Sequence, residues 1–338
     1  MIPLGTGCRG PRIYPQGRSR IDRQRRETTF TRIGARLPCA RSEAGADNGI
    51  VVRTGLVLSG GGLLAVGWEL GVLRGMQDGG VDRGRFDVVI GTSAGAIAGA
   101  IAASGAPLEA IAPVAERDQR LAALLGQADP ALLATVWPVL GSGGTSDQAR
   151  RAEVGAVARK TRIAEDDYVE AIRPYVPQVP WPRPLIVAAV DANDGTFTAW
   201  GVDAGVPMVR AAAASAAVPG LFPPVTIGGR RYMDGAVRSP TSADLAANCD
   251  LVVIVAAPSR SADSDRQIAT ETAAVRAAGG EIIEIRPGEE SGAAFGADPF
   301  DSQRQALVFD AGRRQGAAAA GRVASRGDSP AGQEDSSV

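Results

Sequence analysis

The sequence predicts an α/β protein with a central, mostly parallel sheet covered by helices on both faces. Short apolar runs that fit buried strands alternate with longer segments whose apolar residues recur at helical spacing. A glycine-rich turn joins the first such strand to its helix, and a second glycine-containing turn joins the next pair. Strands that alternate with helices favour parallel pairing, because each helix carries the chain back to the start of the next strand.

The elements follow one another along the chain in a regular order. The predicted strands are residues 55–58, 88–90, 184–190, 196–200, 251–256 and 282–285, with a further strand between a hairpin turn at 228–229 and Asp234. The predicted helices are 63–76, the Ala- and Gly-rich run after residue 93, most of 107–175, 209–217, 264–278 and 300–320. These elements place one domain over residues 51–320.

The two ends differ from this domain. Residues 1–50 carry ten arginines and four acidic residues, a net charge of +6, without apolar periodicity. Such a segment is predicted to be a disordered extension; the alternative is a tail that contacts anionic lipid or nucleic acid, although no nucleic-acid partner is expected for the domain. Residues 321–338 are predicted to be a disordered polar tail. No apolar run is long enough to predict a transmembrane helix.

Composition excludes several classes of site. The chain contains no histidine, which excludes a Ser-His-Asp triad and any histidine metal ligand. The cysteines Cys8, Cys39 and Cys249 are far apart and odd in number, so neither a disulfide framework nor a zinc site is expected. The sequence therefore predicts a protein of a reducing compartment, the cytoplasm, without a metal or another cofactor.

The turn Gly91-Thr92-Ser93-Ala94-Gly95 has the pattern G-x-S-x-G between a predicted strand and a predicted helix. That context is typical of a nucleophile elbow, in which a tight turn exposes the serine Oγ and the helix N-terminus faces the site. Glycine and serine are common, so the alternative is a chance match. If Ser93 is a nucleophile, its base cannot be histidine.

A second turn, Ser59-Gly60-Gly61-Gly62, precedes the first helix. Gly60, Gly62 and Ala65 fit the dinucleotide-binding fingerprint G-x-G-x-x-A, which also requires an acidic residue after the next strand. The next strand ends in Ile90-Gly91-Thr92-Ser93 without a carboxylate. An oxyanion hole made by the amides of the glycine turn is the alternative that the neighbouring serine favours.

Asp234 follows a predicted strand and precedes Gly235 and Ala236. Asp-Gly is a common pair in surface turns, so on its own the dipeptide fits a turn as well as a catalytic carboxylate. Asp234 is therefore a candidate catalytic carboxylate, with a surface turn as the alternative.

The order of these motifs resembles the patatin-like phospholipases, a family of Ser-Asp lipid acyl hydrolases. The resemblance runs from about residue 53 to residue 320, and four ordered motifs are more specific than any one of them. Its further components are WELGVL at Trp68–Leu73, the Ala-Ser-x-x-x-Pro-x-x-Phe-Pro-Pro segment at Ala214–Pro224, DGAVRSPTSADLA at Asp234–Ala246 and FGADPF at Phe295–Phe300.

The resemblance implies a three-layer patatin-like fold and a serine esterase that cleaves lipid esters through an acyl-enzyme. Ser93 would be the nucleophile, Asp234 the base, and the amides of Gly60, Gly61 and Gly62 the oxyanion hole. No cofactor is implied, and the substrate would be a lipid or a small ester. The supporting turn residues are Gly91, Gly95 and Gly235.

Two features qualify this interpretation. Leu64 and Ala65 occupy positions where family members often have a basic residue and a glycine, which favours a neutral ester over a phospholipid and leaves a catalytically silent binding protein as an alternative. The apolar segment 121–140 predicts a buried helical hairpin; the alternative is a flap that meets a lipid surface, with peripheral membrane contact.

Overall fold

The computed structural model describes residues 52–111, 115–140, 144–258 and 262–327. The predicted N-terminal extension, 1–50, lies outside these residues. Within them, eight strands form one sheet: β1 (Thr54–Leu58), β2 (Val88–Thr92), β3 (Leu185–Asp191), β4 (Phe197–Trp200), β5 (Val225–Ile227), β6 (Arg230–Asp234), β7 (Leu251–Val255) and β8 (Glu281–Ile285).

The sheet is mostly parallel, as predicted. Its strand order is β5-β6-β3-β2-β1-β7-β8, and β4 pairs with β3 away from this path. The five strands from β3 to β8 in this order are parallel to one another, whereas β4 and β6 are antiparallel to β3 and β5 is antiparallel to β6. The antiparallel pairs β3–β4 and β5–β6 follow from the short turns at 192–196 and 228–229, since only antiparallel neighbours can be joined by so few residues.

Helices cover both faces of the sheet. Along β1 and β2, the residues Leu56, Leu58 and Val89 belong to one buried cluster, and the alternating Val57 and Ile90 belong to a second cluster on the opposite face. The helices are α1 (Leu63–Asp78), α2 (Ala94–Ala103), α3 (Ala115–Leu125), α4 (Pro130–Leu140), α5 (Gln148–Ala158), α6 (Glu165–Ile172), α7 (Met208–Ser215), α8 (Ala262–Ala277), α9 (Glu289–Phe295) and α10 (Gln305–Gly327).

Glycines allow α1 and α10 to pack with their backbones in contact. A Cβ at Gly71 or Gly75 of α1 would overlap a backbone carbonyl of α10, and a Cβ at Gly312 or Gly316 of α10 would overlap a carbonyl of α1. These residues recur every four positions and therefore form a stripe along one face of each helix. Helix α10 thus packs closely along α1, the helix that begins after the glycine turn.

Two sequence predictions about helices are corrected. Helix α10 continues to Gly327, so residues 321–327 belong to a helix and not to the predicted disordered tail; the buried Ala320 and Val323 continue its core-facing stripe. Residues 328–338 lie outside the described residues. The 121–140 segment is not a buried hairpin, because α4 buries only Val136 and Val139 and leaves Trp137 46% exposed.

No single helix in the described ranges is long and apolar enough to cross a membrane. Residues 118–125 and 130–140 meet that length and composition only as a pair, and the pair is bent by 98°.

Candidate active site

Ser93 lies at the sharp turn between β2 and α2, as the G-x-S-x-G pattern predicts. Its backbone has φ 56° and ψ −118°, a conformation that a residue with a side chain rarely adopts and that costs on the order of 1–3 kcal/mol. Two glycines make the turn sterically accessible. A Cβ at Gly91 would overlap the backbone of Gly95 and Ala96, and a Cβ at Gly95 would overlap the carbonyl of Leu58.

Strand β3 brings Asp234 to Ser93. Thr92 at the end of β2 is paired with Ala188, and Asp234 at the end of β6 is paired with Ala189, the next residue of β3. Both Ala188 and Ala189 also pair with β4, so β2 and β6 share the opposite edge of β3. Because β2 is parallel and β6 antiparallel to β3, their carboxyl ends meet there.

The two side chains are joined by a hydrogen bond. Ser93 Oγ donates to Asp234 Oδ2 at 2.7 Å, and Asp234 Oδ1 accepts the Ala236 N–H at 2.8 Å. Asp234 is 1% exposed and Ser93 is 6% exposed. At Gly235, a Cβ would lie 2.7 Å from the Ala188 carbonyl oxygen, so glycine is required where the chain leaves β6.

Burial weakens the acidity of Asp234. Removal of the carboxylate from water raises its pKa from 3.8 to about 7, and the hydrogen bonds from Ser93 and Ala236 oppose this rise only in part. Burial raises the pKa of the Tyr168 hydroxyl, and the negative charge of Asp234 raises it further. A carboxylate with a pKa near neutrality is a stronger proton acceptor than an exposed aspartate.

The glycine turn passes directly beside Ser93. The prediction that the Gly60 N–H belongs to an oxyanion hole is wrong, because this N–H is already hydrogen-bonded. A Cβ at Gly60 would lie 3.2 Å from the Ser93 Cβ, and the Gly60 N–H donates to the Pro240 carbonyl at 2.9 Å. Gly60 therefore provides space and not a free donor. In the described parts of the chain, the N–H groups of Gly61, Gly62 and Ala94 donate no hydrogen bond. Of these three residues, Gly62 and Ala94 line the same pocket as Ser93.

Ser215, at the end of α7, is a site residue to which the sequence analysis assigned no role. Its Oγ accepts the Ser93 N–H at 2.9 Å and donates to the Ala188 carbonyl at 2.6 Å, and its side chain is fully buried. It thereby fixes the elbow to β3. The sequence signal was a serine that directly follows the alanine run 211–214, since a buried hydroxyl there requires a hydrogen-bond partner.

An apolar pocket opens to solvent beside Ser93, and the empty space in and above it amounts to about 420 Å³. Its lining comes from α1, α2, α3, α6, the segment after α7 and the loop before α10. None of the lining residues is charged: they are Gly62, Leu63, Val66, Ser93, Ala94, Ile97, Leu121, Ile172, Tyr175, Ala216, Val218, Phe222 and Phe300. The site can therefore hold an uncharged hydrocarbon group next to the serine hydroxyl.

The described residues contain no cluster of three or more His, Cys, Asp or Glu side chains that could hold a metal ion. The arrangement that they do contain is a serine hydroxyl hydrogen-bonded to a buried carboxylate, beside a glycine turn with N–H groups that donate no hydrogen bond. That arrangement is suited to nucleophilic attack on a carbonyl carbon.

Two solved structures are similar to this chain over most of its length. VipD from Legionella pneumophila is similar over 81% of this chain and 67% of VipD, with 15% identity and a TM-score of 0.41. The type III effector protein ExoU is similar over 82% of this chain, with 18% identity and a TM-score of 0.35; the chain spans 54% of ExoU, about half its length. No curated protein matched the sequence.

A family model described as Patatin-like phospholipase matches residues 56–247, which is more than half of the 338 residues. The match begins in β1 and includes the glycine turn, the elbow, Ser215 and Asp234. It ends before β7, so α10 and the loop that carries Phe300 lie beyond it. The chain belongs to the patatin-like phospholipase family.

Proposed function

We propose that this protein is a serine acyl hydrolase that cleaves carboxylic esters of lipids through a Ser93–Asp234 dyad and an acyl-enzyme. Family membership supports a lipid hydrolase. The observation that carries the dyad is the 2.7 Å hydrogen bond between Ser93 Oγ and Asp234 Oδ2 at the wall of an apolar pocket.

The geometry supports a two-step reaction. Asp234 takes the hydroxyl proton as Ser93 Oγ attacks the ester carbonyl carbon, and the negative oxygen that forms faces the amides of Gly61, Gly62 and Ala94. When the tetrahedral intermediate collapses, the C–O bond to the alcohol breaks and Asp234 returns the proton to the leaving alkoxide. Water then attacks the acyl-Ser93 ester with Asp234 as base. Release of the carboxylic acid restores the Ser93 hydroxyl.

The uncharged lining of the pocket supports the proposal that the pocket binds the acyl group of the substrate. Its lining contains no cation that could pair with a phosphate, and Leu64 and Ala65 supply none at the first turn of α1. We therefore expect neutral esters with hydrocarbon acyl chains to be better substrates than phospholipids. Hydrolysis of a neutral acylglycerol and of a phospholipid with the same acyl chain compares the two directly.

Ester hydrolysis tests the dyad. The wild type, Ser93→Ala and Asp234→Asn are compared with p-nitrophenyl esters of short and medium chain length. Both variants are expected to lose activity, by roughly 10² to 10⁴ for the loss of the base. Undiminished turnover by Ser93→Ala would refute the proposal. A folded wild type that hydrolyses no ester of either length would instead support the silent binding protein.

The exposed face of α4 supports peripheral contact with a lipid surface. The helix has no charged residue, and its inner side packs against the segment that forms one pocket wall, where Leu133 contacts Gly220. Trp137 is 46% exposed on it. A tryptophan on an apolar helix face is typical of an interfacial helix.

Vesicle co-sedimentation tests this contact with neutral phosphatidylcholine vesicles. Trp137→Glu is compared with Val179→Glu, because Val179 is equally exposed, at 46%, on another part of the surface. Only Trp137→Glu is expected to reduce binding, by roughly tenfold, since about 1.4 kcal/mol of apolar transfer corresponds to that factor. Equal binding by both variants would exclude α4 as the contact.

A further inference from the structure

Helix α1 contains a buried carboxyl group that the proposed reaction does not use. Glu69 lies in the otherwise uncharged stretch LLAVGWELGVL and is 0% exposed. Glutamate is almost never fully buried unless it has a partner, because loss of water strongly disfavours the charged form. The contacts of Glu69 show which part of the molecule it serves.

Glu69 reaches back to the end of β1. Its Oε1 accepts the Ser59 N–H at 2.8 Å and the Ser59 hydroxyl at 3.3 Å. The Val255 carbonyl accepts the same N–H at the longer distance of 3.2 Å. Its Oε2 is buried and has no hydrogen-bond partner among the described residues. No salt bridge within the described residues involves Glu69. One oxygen thus acts as an acceptor, and no donor of the described residues stabilises a negative charge on the other.

Ser59 connects the glycine turn to the nucleophile elbow. Its carbonyl accepts the Gly95 N–H at 2.8 Å, which ties it to the first turn of α2, two residues after Ser93. Its Oγ accepts the Ala257 N–H at 2.8 Å beyond the end of β7. Gly60 and the free amides of the turn follow immediately along the chain. A shift of Ser59 would therefore displace the oxyanion donors and the nucleophile relative to each other.

We propose that Glu69, as a neutral carboxylic acid, is a positioning residue that holds Ser59 and thereby fixes the glycine turn against Ser93. This inference rests on the proposed function for its effect on turnover. Glu69 touches neither the pocket nor Ser93, so it acts through Ser59 and not on the substrate.

The electrostatics of Glu69 agree with a neutral acid. Burial raises its pKa well above 4.5, and only the two hydrogen bonds from Ser59 oppose the rise. No charged side chain of the described residues, on α1 or on the elements packed against it, contributes to the shift. Because the pKa is raised in the folded state, Glu69 lowers stability progressively as the pH increases above 4.5.

Two substitutions separate the acceptor from the charge. Glu69→Gln keeps an oxygen that can accept the Ser59 N–H and carries no charge, whereas Glu69→Met has a similar size and no such acceptor. We expect Glu69→Gln to retain kcat within about threefold, and Glu69→Met to lower kcat roughly 10- to 100-fold at an unchanged KM, since misplacement by about 1 Å can cost 10² in rate. Equal loss in both variants would show that the charge is required, and full activity of Glu69→Met would show that positioning is not; either result overturns the proposal.

Urea denaturation between pH 5 and pH 9 gives a readout that does not depend on turnover. The stability of Glu69→Gln relative to the wild type is expected to increase with pH, while the control Glu109→Gln, at an exposed glutamate paired with Arg74, shows no such trend. A pH-independent difference would overturn the neutral acid, even if Glu69→Met does not fold. Failure of the proposed function is distinct, because it appears as wild-type turnover that survives Ser93→Ala.

Discussion

Replacement of Asp234 by asparagine is expected to stabilise the fold above pH 7 while it lowers turnover by roughly 10² to 10⁴. The buried carboxylate is held between the Ser93 hydroxyl and the Ala236 N–H, without a salt bridge in the described residues. Asparagine has nearly the same shape. Its Oδ1 can accept the Ala236 N–H and its amide group can donate to Ser93 Oγ, so the exchange removes a buried charge and leaves both neighbours with a partner.

The magnitude follows from the pKa of Asp234, which folding raises from 3.8 to about 7. The folded state binds the proton more tightly, so this carboxyl group costs stability increasingly as the pH rises from 3.8 to about 7. Each pKa unit corresponds to 1.36 kcal/mol, which gives a full effect of about 4 kcal/mol. About 3 kcal/mol of this develops between pH 5 and pH 8, since the dependence ends near pH 7.

Urea unfolding at pH 5 and pH 8 measures this effect for the wild type, Asp234→Asn and the exposed control Asp203→Asn. The free energy of unfolding of Asp234→Asn relative to the wild type is expected to increase by about 3 kcal/mol between the two pH values, and that of Asp203→Asn to stay constant. Titration of all other groups cancels in each comparison. The reasoning is refuted if the difference for Asp234→Asn is the same at both pH values or decreases.

Three further substitutions test separate parts of the structure. Ser215→Ala leaves the buried Ser93 N–H without its acceptor and is expected to lower the free energy of unfolding by about 1–3 kcal/mol in urea titrations; an unchanged value would show that another group replaces the hydroxyl. Gly316→Ala forces a Cβ into a backbone carbonyl of α1 and is expected to lower the free energy of unfolding by about 1–3 kcal/mol or more. The control is Gly321→Ala on the same helix, where a Cβ meets nothing within 4 Å and should raise the free energy of unfolding by about 0.5–1 kcal/mol. Equal effects of the two substitutions in thermal unfolding would contradict the close packing of α1 and α10. Phe300→Ala removes a wall of the pocket and should move the preferred p-nitrophenyl ester to a longer acyl chain; an unchanged chain-length profile would place the acyl group elsewhere.

Much of this site could be predicted from the sequence, because the conformation of each turn in it depends on a few neighbouring residues. The turn around Ser93 requires glycine at positions 91 and 95, and the sequence has both. Asp234 could be proposed as the partner, but the pattern of strands could not say why it reaches Ser93. That proximity depends on β3, which pairs with β2 and β6 along one edge and with β4 along the other. Strand pairing over such distances is not encoded in any one segment.

The features of the site that the sequence analysis missed or mispredicted depend on tertiary contacts. Gly60 satisfies the pattern of an oxyanion loop, yet its N–H is bound to Pro240, a residue far along the chain. Ser215 and Glu69 have buried polar groups whose partners come from other elements, so only the folded chain shows what they do. Helix α4 is apolar in composition, but the part of it that the domain covers is set by neighbours that the sequence does not identify.

Labelling with a fluorophosphonate tests the central claim most directly, because the probe reacts with a serine only when its hydroxyl is activated. Intact-mass spectrometry and peptide mapping would be applied to the wild type and to Ser93→Ala at pH 8, where Asp234, with a pKa of about 7, is ionised. The dyad predicts one adduct per chain, located on Ser93 and absent from the variant. A wild type that acquires no adduct, or a variant that is labelled as rapidly as the wild type, would contradict the assignment of Ser93 as the nucleophile.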